Sequence, residues 1–524
     1  MSLPCFGLFY SLLTILLYNR IFFAKIYELY PSSVFVFFTF IVFFLLMNAA
    51  CALLFWRYTA KPLAIFFVMT NAFVYYFMKV YNVAFDKVML MNVMETDAGE
   101  VKALFSVSML FFVLLTGVLP AYLICKVRID YAPFRREILK KILILLGTLL
   151  LSAGIVGIGY KETAQFARNN KAVKYYWVPV NYVGAAVSLV KKLKDMRPRE
   201  LVKIGDDAVL KPYWTDNGKK NLFVFVVGET ARAKNFSLNG YDKPTNEPLE
   251  PYEKELLSFG NVQSCGTSTA ISVPCMFALE GRKKFDKSEA AYTENLLDVL
   301  QKAGYAVTWR GNVTGCKGIC SRVASEMLCD KETCFDDILN KGLEEKLRQN
   351  PRDVFVVLHQ LGSHGPTYYK RYPESAARFA PVCNTERLDK CSREEIVNVY
   401  DNTIYYTSQN LAETIEILKS LEDTYNTFLL YVSDHGESLG ENNIYLHAAP
   451  YALAPDEQTR VPLVMWFSDD FARTFKLDRA CLRRKAGGEF SHDNLFHSFL
   501  GLTGVLSAVY KPELDFFAGC RIEN

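Results

Sequence analysis

Histidine is scarce in this 524-residue chain: there are six, none before His359. Excess charge of either sign is missing too. The net charge of +4 gives no electrostatic case for a nucleic-acid partner. Low-complexity tracts and internal repeats are absent, which excludes a solenoid or a disordered linker protein. Residues 1–5 carry no basic residue and further apolar runs follow, so a cleaved signal peptide is not expected. The first third also lacks charge within its long runs. Residues 34–56, "VFVFFTFIVFFLLMNAACALLFW", hold no charged side chain and are long enough to cross a bilayer as a helix.

Similar runs near 6–24, 62–80, 104–125 and 142–160 predict a five-helix membrane domain over 1–160, with the Arg20-bearing first run the weakest. The connection between the fourth and fifth runs holds Lys126, Arg128, Arg135, Arg136, Lys140 and Lys141, and the second-to-third connection holds Arg57 and Lys61. Basic connections stay in the cytoplasm. Five crossings then put everything after residue 160 on the far side.

Cysteine usage points the same way. Cys5, Cys51 and Cys125 lie in the membrane region. Ten more follow: Cys265, Cys275, Cys316, Cys320, Cys329, Cys334, Cys383, Cys391, Cys481 and Cys520. An even number, mostly near neighbours, suits a disulfide framework in an oxidising compartment. Spacing does not fix connectivity; sequential pairing is the expectation. Zinc ligation is the rival, but the spacings 4, 5, 8 and 10 repeat no metal pattern.

Residues 161–217 mix aromatic, apolar and basic stretches and predict interfacial helices linking two domains. From 218 onward, "NLFVFVVG", "RDVFVVLHQ", "FLLYVSD" and "RVPLVMWF" read as short buried strands of a parallel sheet. Helical stretches at 291–303 and 393–420 alternate with them, giving an α/β domain with helices on both faces. Chemistry in such sheets gathers beyond the carboxyl ends of strands. There the chain places Glu229, the pair Asp434 and His435, and His364, with His447 twelve residues after His435. Carboxylates with imidazole suit a divalent ion such as zinc. Each alone has a bland reading, as a hydrogen-bonded structural residue or a turn. The stretch "SCGTSTAISVPCMF" adds Thr267, Ser268 and Thr269 as candidate nucleophiles, ahead of a helix whose first N–H groups can meet a phosphate.

The segments "VGETARAKNFSLNGYDKPTNE", "SCGTSTAISVPCMF", "GSHGPTYYKRYP", "SDHGESLGENNIYLH" and "FSHDNLFHSFLGL" resemble the phosphoethanolamine transferases of Gram-negative inner membranes, including lipid A-modifying, polymyxin-resistance enzymes. The likeness covers nearly the whole chain. It implies an alkaline phosphatase/sulfatase-like α/β/α domain with a mainly parallel sheet over 218–524, in the periplasm, behind a multi-pass anchor. It implies Thr269 as nucleophile and Glu229, Asp434 and His435 as zinc ligands, with Thr269 completing the shell. Lys317, His364 and His447 would hold the phosphoethanolamine group or a second zinc ion. The implied reaction takes phosphoethanolamine from phosphatidylethanolamine through a phosphothreonine-type intermediate to an envelope acceptor. Lipid A is favoured over a core sugar, a glucan or a protein. A monomer is expected. Sulfatase activity is disfavoured, because Met276 stands where formylglycine formation needs arginine. Lipoteichoic acid synthase, a glycerol phosphate transferase, resembles the same architecture, but the dense cysteines argue against it. A non-enzymatic lipid receptor would leave the gathered Glu229, Thr269, Asp434 and His435 without purpose.

The connection near 81–103 carries Asn92, Thr96 and Glu100, spaced four and four on nearly one helical face. Periodicity alone reads this as a solvated face. The resemblance implies instead that these residues hold the donor's ethanolamine end.

Overall fold

The computed structural model describes residues 1–95, 105–194, 200–211, 218–312, 315–329, 334–386 and 388–522. The chain divides into two compact units, Met1–Leu90 with Phe105–Leu193, and Met91–Leu104 with Lys194–Asn524.

The first unit is helical. Helices α1 (Leu3–Tyr18) and α2 (Arg20–Leu29) are followed by α3 (Ser33–Leu54), α4 (Ala60–Tyr81) and α5 (Lys87–Glu95). Next come α6 (Val107–Lys126), α7 (Phe134–Ile158), α8 (Tyr160–Asn169) and α9 (Val180–Lys194). Four of these, α3, α4, α6 and α7, are long and apolar enough to span a bilayer, and α1 with α2 makes a fifth only as a bent pair. The first run is therefore not one straight helix over 6–24. It bends by 64° at Asn19. The buried Asn19 amide donates to the Val178 carbonyl at 2.9 Å and accepts from the Val178 N–H at 3.0 Å, a clasp outside the helix ladder. The last long helix also differs from the expected 142–160. It begins at Phe134, so Arg135, Arg136, Lys140 and Lys141 ride on helix rather than on a loop. Lys141 closes the carboxyl end of α3, donating to the carbonyls of Ala52 at 2.8 Å and of Phe55, with its ammonium 3.6 Å from the Trp56 ring centre. In α6 a wider turn, Leu114–Val118, precedes Pro120. Proline has no N–H for the Thr116 carbonyl, and the Tyr18 hydroxyl donates to it instead.

The second unit is built on an eight-stranded sheet. Its strands are β1 (Lys220–Gly228), β2 (Leu257–Gln263), β3 (Ala306–Gly311), β4 (Ala324–Met327), β5 (Val354–His359), β6 (Tyr425–Ser433), β7 (Arg460–Phe467) and β8 (Phe490–Ser491). The spatial order is β8-β2-β7-β6-β1-β5-β3-β4. The sheet is parallel except along β7, which runs antiparallel to both β2 and β6. This departs from the parallel setting expected for "RVPLVMWF", because an apolar run buried on both faces looks the same in either direction. β1 alternates between two cores. Phe223, Phe225 and Val227 face one, with Phe471 and Phe499; Leu222, Val224 and Val226 face the other, with Val399 and Ile415. This two-sided burial makes the α/β/α layering.

Helices α10 (Thr269–Met276) and α11 (Leu296–Lys302) pack into the first of these cores, and α12 (Arg393–Ser420) into the second. α12 starts where Ser392 and Glu395 cap each other's backbone N–H groups, at the start of the helical stretch expected over 393–420. α11 is shorter than the expected 291–303, because Asn295 and Asp298 form the same reciprocal cap and fix its start. The disulfides join Cys265–Cys275, Cys316–Cys320, Cys329–Cys334, Cys383–Cys391 and Cys481–Cys520, the sequential pairing. Cys5, Cys51 and Cys125 are free thiols.

Candidate active site

β1 and β6 are neighbours in parallel register, Gly228 beside Ser433, so both deliver their next residues to the same edge. Glu229 follows β1; Asp434 and His435 follow β6. All three are almost fully buried, and one ligand atom from each lies within 4.8 Å of the others. His435 Nε2 is 3.3 Å from Glu229 Oε1 and 3.4 Å from Asp434 Oδ2. Thr269, the first residue of α10, brings its hydroxyl 2.9 and 3.0 Å from the two Glu229 oxygens and 3.4 Å from His435 Nε2. The Cys265–Cys275 bridge closes the loop that carries it.

The surroundings aim these atoms inward. His435 Nδ1 faces the Gly436 carbonyl at 2.9 Å, which directs Nε2 into the site. Asp434 Oδ1 accepts from the N–H groups of Thr230 and His435 at 3.0 and 2.7 Å, while Oδ2 is buried without a hydrogen bond among the described residues. Thr230 adopts a left-handed φ of 61°, uncommon for a β-branched residue. Its hydroxyl donates to Glu229 Oε1 at 2.6 Å, and its carbonyl accepts from the Tyr400 hydroxyl at 2.8 Å. Gly362 packs on Glu229 so closely that a Cβ would stand 2.5 Å from the Glu229 carbonyl oxygen.

Electrostatics match this crowding. Burial pushes Asp434 up to about 7, with the Glu229 charge adding to it. Burial alone would raise Glu229, yet the hydrogen bond and charge of His435 hold it below the usual carboxylate range. Burial opposes the charged imidazole of His435, but Asp434 and Glu229 together raise it to about 10. Two carboxylates share one cationic partner, and one carboxylate oxygen lacks a donor. A divalent cation fits that deficit. Cys265, Cys275 and Asp493 also cluster, but their sulfurs are bonded to each other.

His447 joins the group, its ring centre 4.4 Å from that of His435 and 5.3 Å from that of His364. Lys317 is half-buried in the Cys316–Cys320 loop with φ of 52°, and its charge adds to the burial that lowers the pKa of His359. Asn92 lies on α5, away from this strand edge in sequence; Thr96 and Glu100 lie outside the described residues. Sequence reasoning missed Glu437 and His359. Glu437 is fully buried, accepting from Tyr368 at 2.9 Å and lying 3.0 Å from His447 Nδ1. Its signal was a third acidic or imidazole residue within "SDHGES". His359 ends β5, and burial holds its ring neutral, down to about 4.

A sheet flanked on both faces by helices, with this carboxylate, imidazole and hydroxyl group at its edge, places the C-terminal unit in the alkaline phosphatase/sulfatase superfamily. The Sulfatase family pattern matches residues 221–505, and that of "Phosphoethanolamine transferase EptA/EptB" matches residues 43–193. The chain is 39% identical to phosphoethanolamine transferase EptA of Escherichia coli K12, over 92% of this chain and 89% of that one. It is 36% identical to phosphatidylethanolamine transferase Mcr-1 of Escherichia coli, over 86% of each. The solved structure of the integral membrane protein lipooligosaccharide phosphoethanolamine transferase A from Neisseria meningitidis superposes with a TM-score of 0.95 at 38% identity, over 99% of each chain. The chain belongs to the phosphoethanolamine transferase family. It is a multi-pass inner-membrane protein with its catalytic unit in the periplasm.

Proposed function

We propose that the protein transfers phosphoethanolamine from phosphatidylethanolamine to a phosphate of lipid A, by way of a covalent adduct on Thr269. The observation that carries this is the Thr269 hydroxyl, at the first position of a helix and within 3.0 Å of both Glu229 oxygens. Glu229, Asp434 and His435, with Thr269, would hold zinc. Bound there, zinc lowers the pKa of a coordinated hydroxyl and offsets phosphoryl charge.

The side chains do the rest. Thr269 Oγ forms a bond to the donor phosphorus as the bond to diacylglycerol breaks, and the leaving oxygen takes up the proton that the hydroxyl gives up. A singly protonated lipid A phosphate then attacks the same phosphorus, the Thr269 ester breaks, and the Thr269 oxygen takes up the proton that the attacking phosphate gives up. N–H groups in the first turn of α10, with Lys317, meet the phosphoryl oxygens. His364 and His447 hold the phosphoethanolamine group, His447 steadied by Glu437. Asn92, Thr96 and Glu100 are assigned to the donor's ethanolamine end, Glu100 pairing with the ammonium. The product carries an added amine, which weakens attraction of cationic peptides to the envelope.

The test is trapping. Full-length enzyme given phosphatidylethanolamine without acceptor, then digested, is expected to show a phosphoethanolamine adduct on Thr269. Thr269→Ala is expected to keep its zinc content and to show no adduct, with transfer down at least about a thousandfold. An adduct on Thr267 or Ser268 would move the nucleophile, and no adduct anywhere would defeat the two-step route.

A further inference from the structure

The bend between α1 and α2 opens a groove that no step of transfer uses. Its volume is about 720 Å³, in the range of about 300–1,000 Å³ usual for small-molecule sites. Phe23, Val36, Phe37 and Phe40 line it with apolar surface, and Tyr27 and Arg20 line it too. Arg20 is exposed and, among the described residues, forms no ion pair and no hydrogen bond. Glu28, the acidic residue of α2, already pairs with Lys25 at 2.8 Å. An unpaired guanidinium beside aromatic walls in a spanning segment calls for an anion from its surroundings.

Depth says which anion. The amino end of α1 lies at the basic, cytoplasmic end of the unit, where Ser2 bridges to Asp130. At about 1.5 Å per residue, Arg20 stands roughly 26 Å further along, close to the thickness of the hydrocarbon core. That is the level of headgroup phosphates in the periplasmic leaflet.

We propose that this groove binds a glycerophospholipid, its phosphate paired with Arg20 and one acyl chain lying along Phe23, Phe37 and Phe40. The bend makes the site. Residues of α1, α2 and α3 line it together, and the Asn19 clasp on Val178 sits at the bend.

The test uses full-length protein in phosphatidylcholine nanodiscs doped with phosphatidylglycerol that carries a diazirine on one acyl chain. This probe is not the proposed donor, so its result is separate from the transferase reading. Irradiation is expected to label peptides covering residues 15–40. Unlabelled phosphatidylglycerol should compete, and diacylglycerol, which lacks the phosphate, should not. Arg20→Gln is expected to lower labelling at least about fivefold; Val36→Trp, which fills the groove, should lower it with Arg20 intact. Equal competition by diacylglycerol, or undiminished labelling of Arg20→Gln, would overturn the proposal. So would competition by lipid A alone. The competition arm needs only wild-type protein, so a variant that fails to fold leaves the proposal testable.

Discussion

In the membrane unit three buried polar side chains answer gaps in the helix ladders. Asn19 serves the Val178 backbone, Tyr18 serves the Thr116 carbonyl left over by Pro120, and Lys141 serves the open end of α3. At the catalytic edge the buried polar groups face one another instead. Glu229, Asp434, His435, Glu437 and His447 crowd together, and among the described residues Asp434 Oδ2 has no hydrogen-bond donor. The first arrangement satisfies backbone that lipid cannot hydrate, so it stabilises. The second leaves charge unbalanced, and that deficit is what a bound cation and a phosphoryl group can fill.

Stripping metal is the strongest way to break this comparison. Chelation is expected to abolish transfer, zinc to restore it, and the membrane unit to keep its helical signal throughout. Full transfer by enzyme shown to be metal-free would sink the reading of Glu229, Asp434 and His435 as ligands. A second probe is Glu100→Ala, expected to lose most transfer, roughly tenfold or more, with zinc content unchanged. Wild-type turnover would return Asn92, Thr96 and Glu100 to a solvated helix face.

On the membrane side, Asn19→Ala removes three buried bonds, one to the Thr14 carbonyl, and strands the Val178 N–H and carbonyl. A loss of about 2–3 kcal/mol is expected in detergent unfolding, with zinc content untouched. A change below about 0.5 kcal/mol would show that the clasp is dispensable. The smallest effect concerns pH. His492 is buried in the catalytic unit beside Cys265, and burial pushes it down to about 3. Below about pH 6.5 the unfolded chain binds a proton that the folded unit refuses. Stability present above that pH should therefore fall, by about 1 kcal/mol between pH 6.5 and 5.5 from this residue alone. His492→Asn should flatten that part of the profile, and an unchanged slope would assign it to other groups.

Much of the fold was legible because its signals are local. The uncharged run at 34–56 needs only length to call for a spanning helix, and α3 occupies Ser33–Leu54. The stretch 393–420 was expected to be helical, and α12 occupies Arg393–Ser420, started by a cap that lies within its own first turn. The bend at Asn19 was not legible, because its partner Val178 lies 159 residues away. Nor was the helical start of α7: basic residues mark the cytoplasmic side, but charge says nothing of whether the backbone beneath is loop or helix.

By itself the sequence determined which segments are buried, with what period, and which chemistry each strand end carries. Glu229, Asp434 and His435 were readable as candidates from their places after apolar runs, and Thr269 as one of three hydroxyl residues between Cys265 and Cys275. Only the tertiary structure decided that they meet, through the parallel pairing of β1 with β6 across about 200 residues of chain. It alone turned β7 antiparallel, put Glu437 beside His447 and set Arg20 in the lining of a groove. The physical reason is that hydrophobic period and capping act within a few residues. Register, direction and the sharing of charge depend on which distant segment packs alongside.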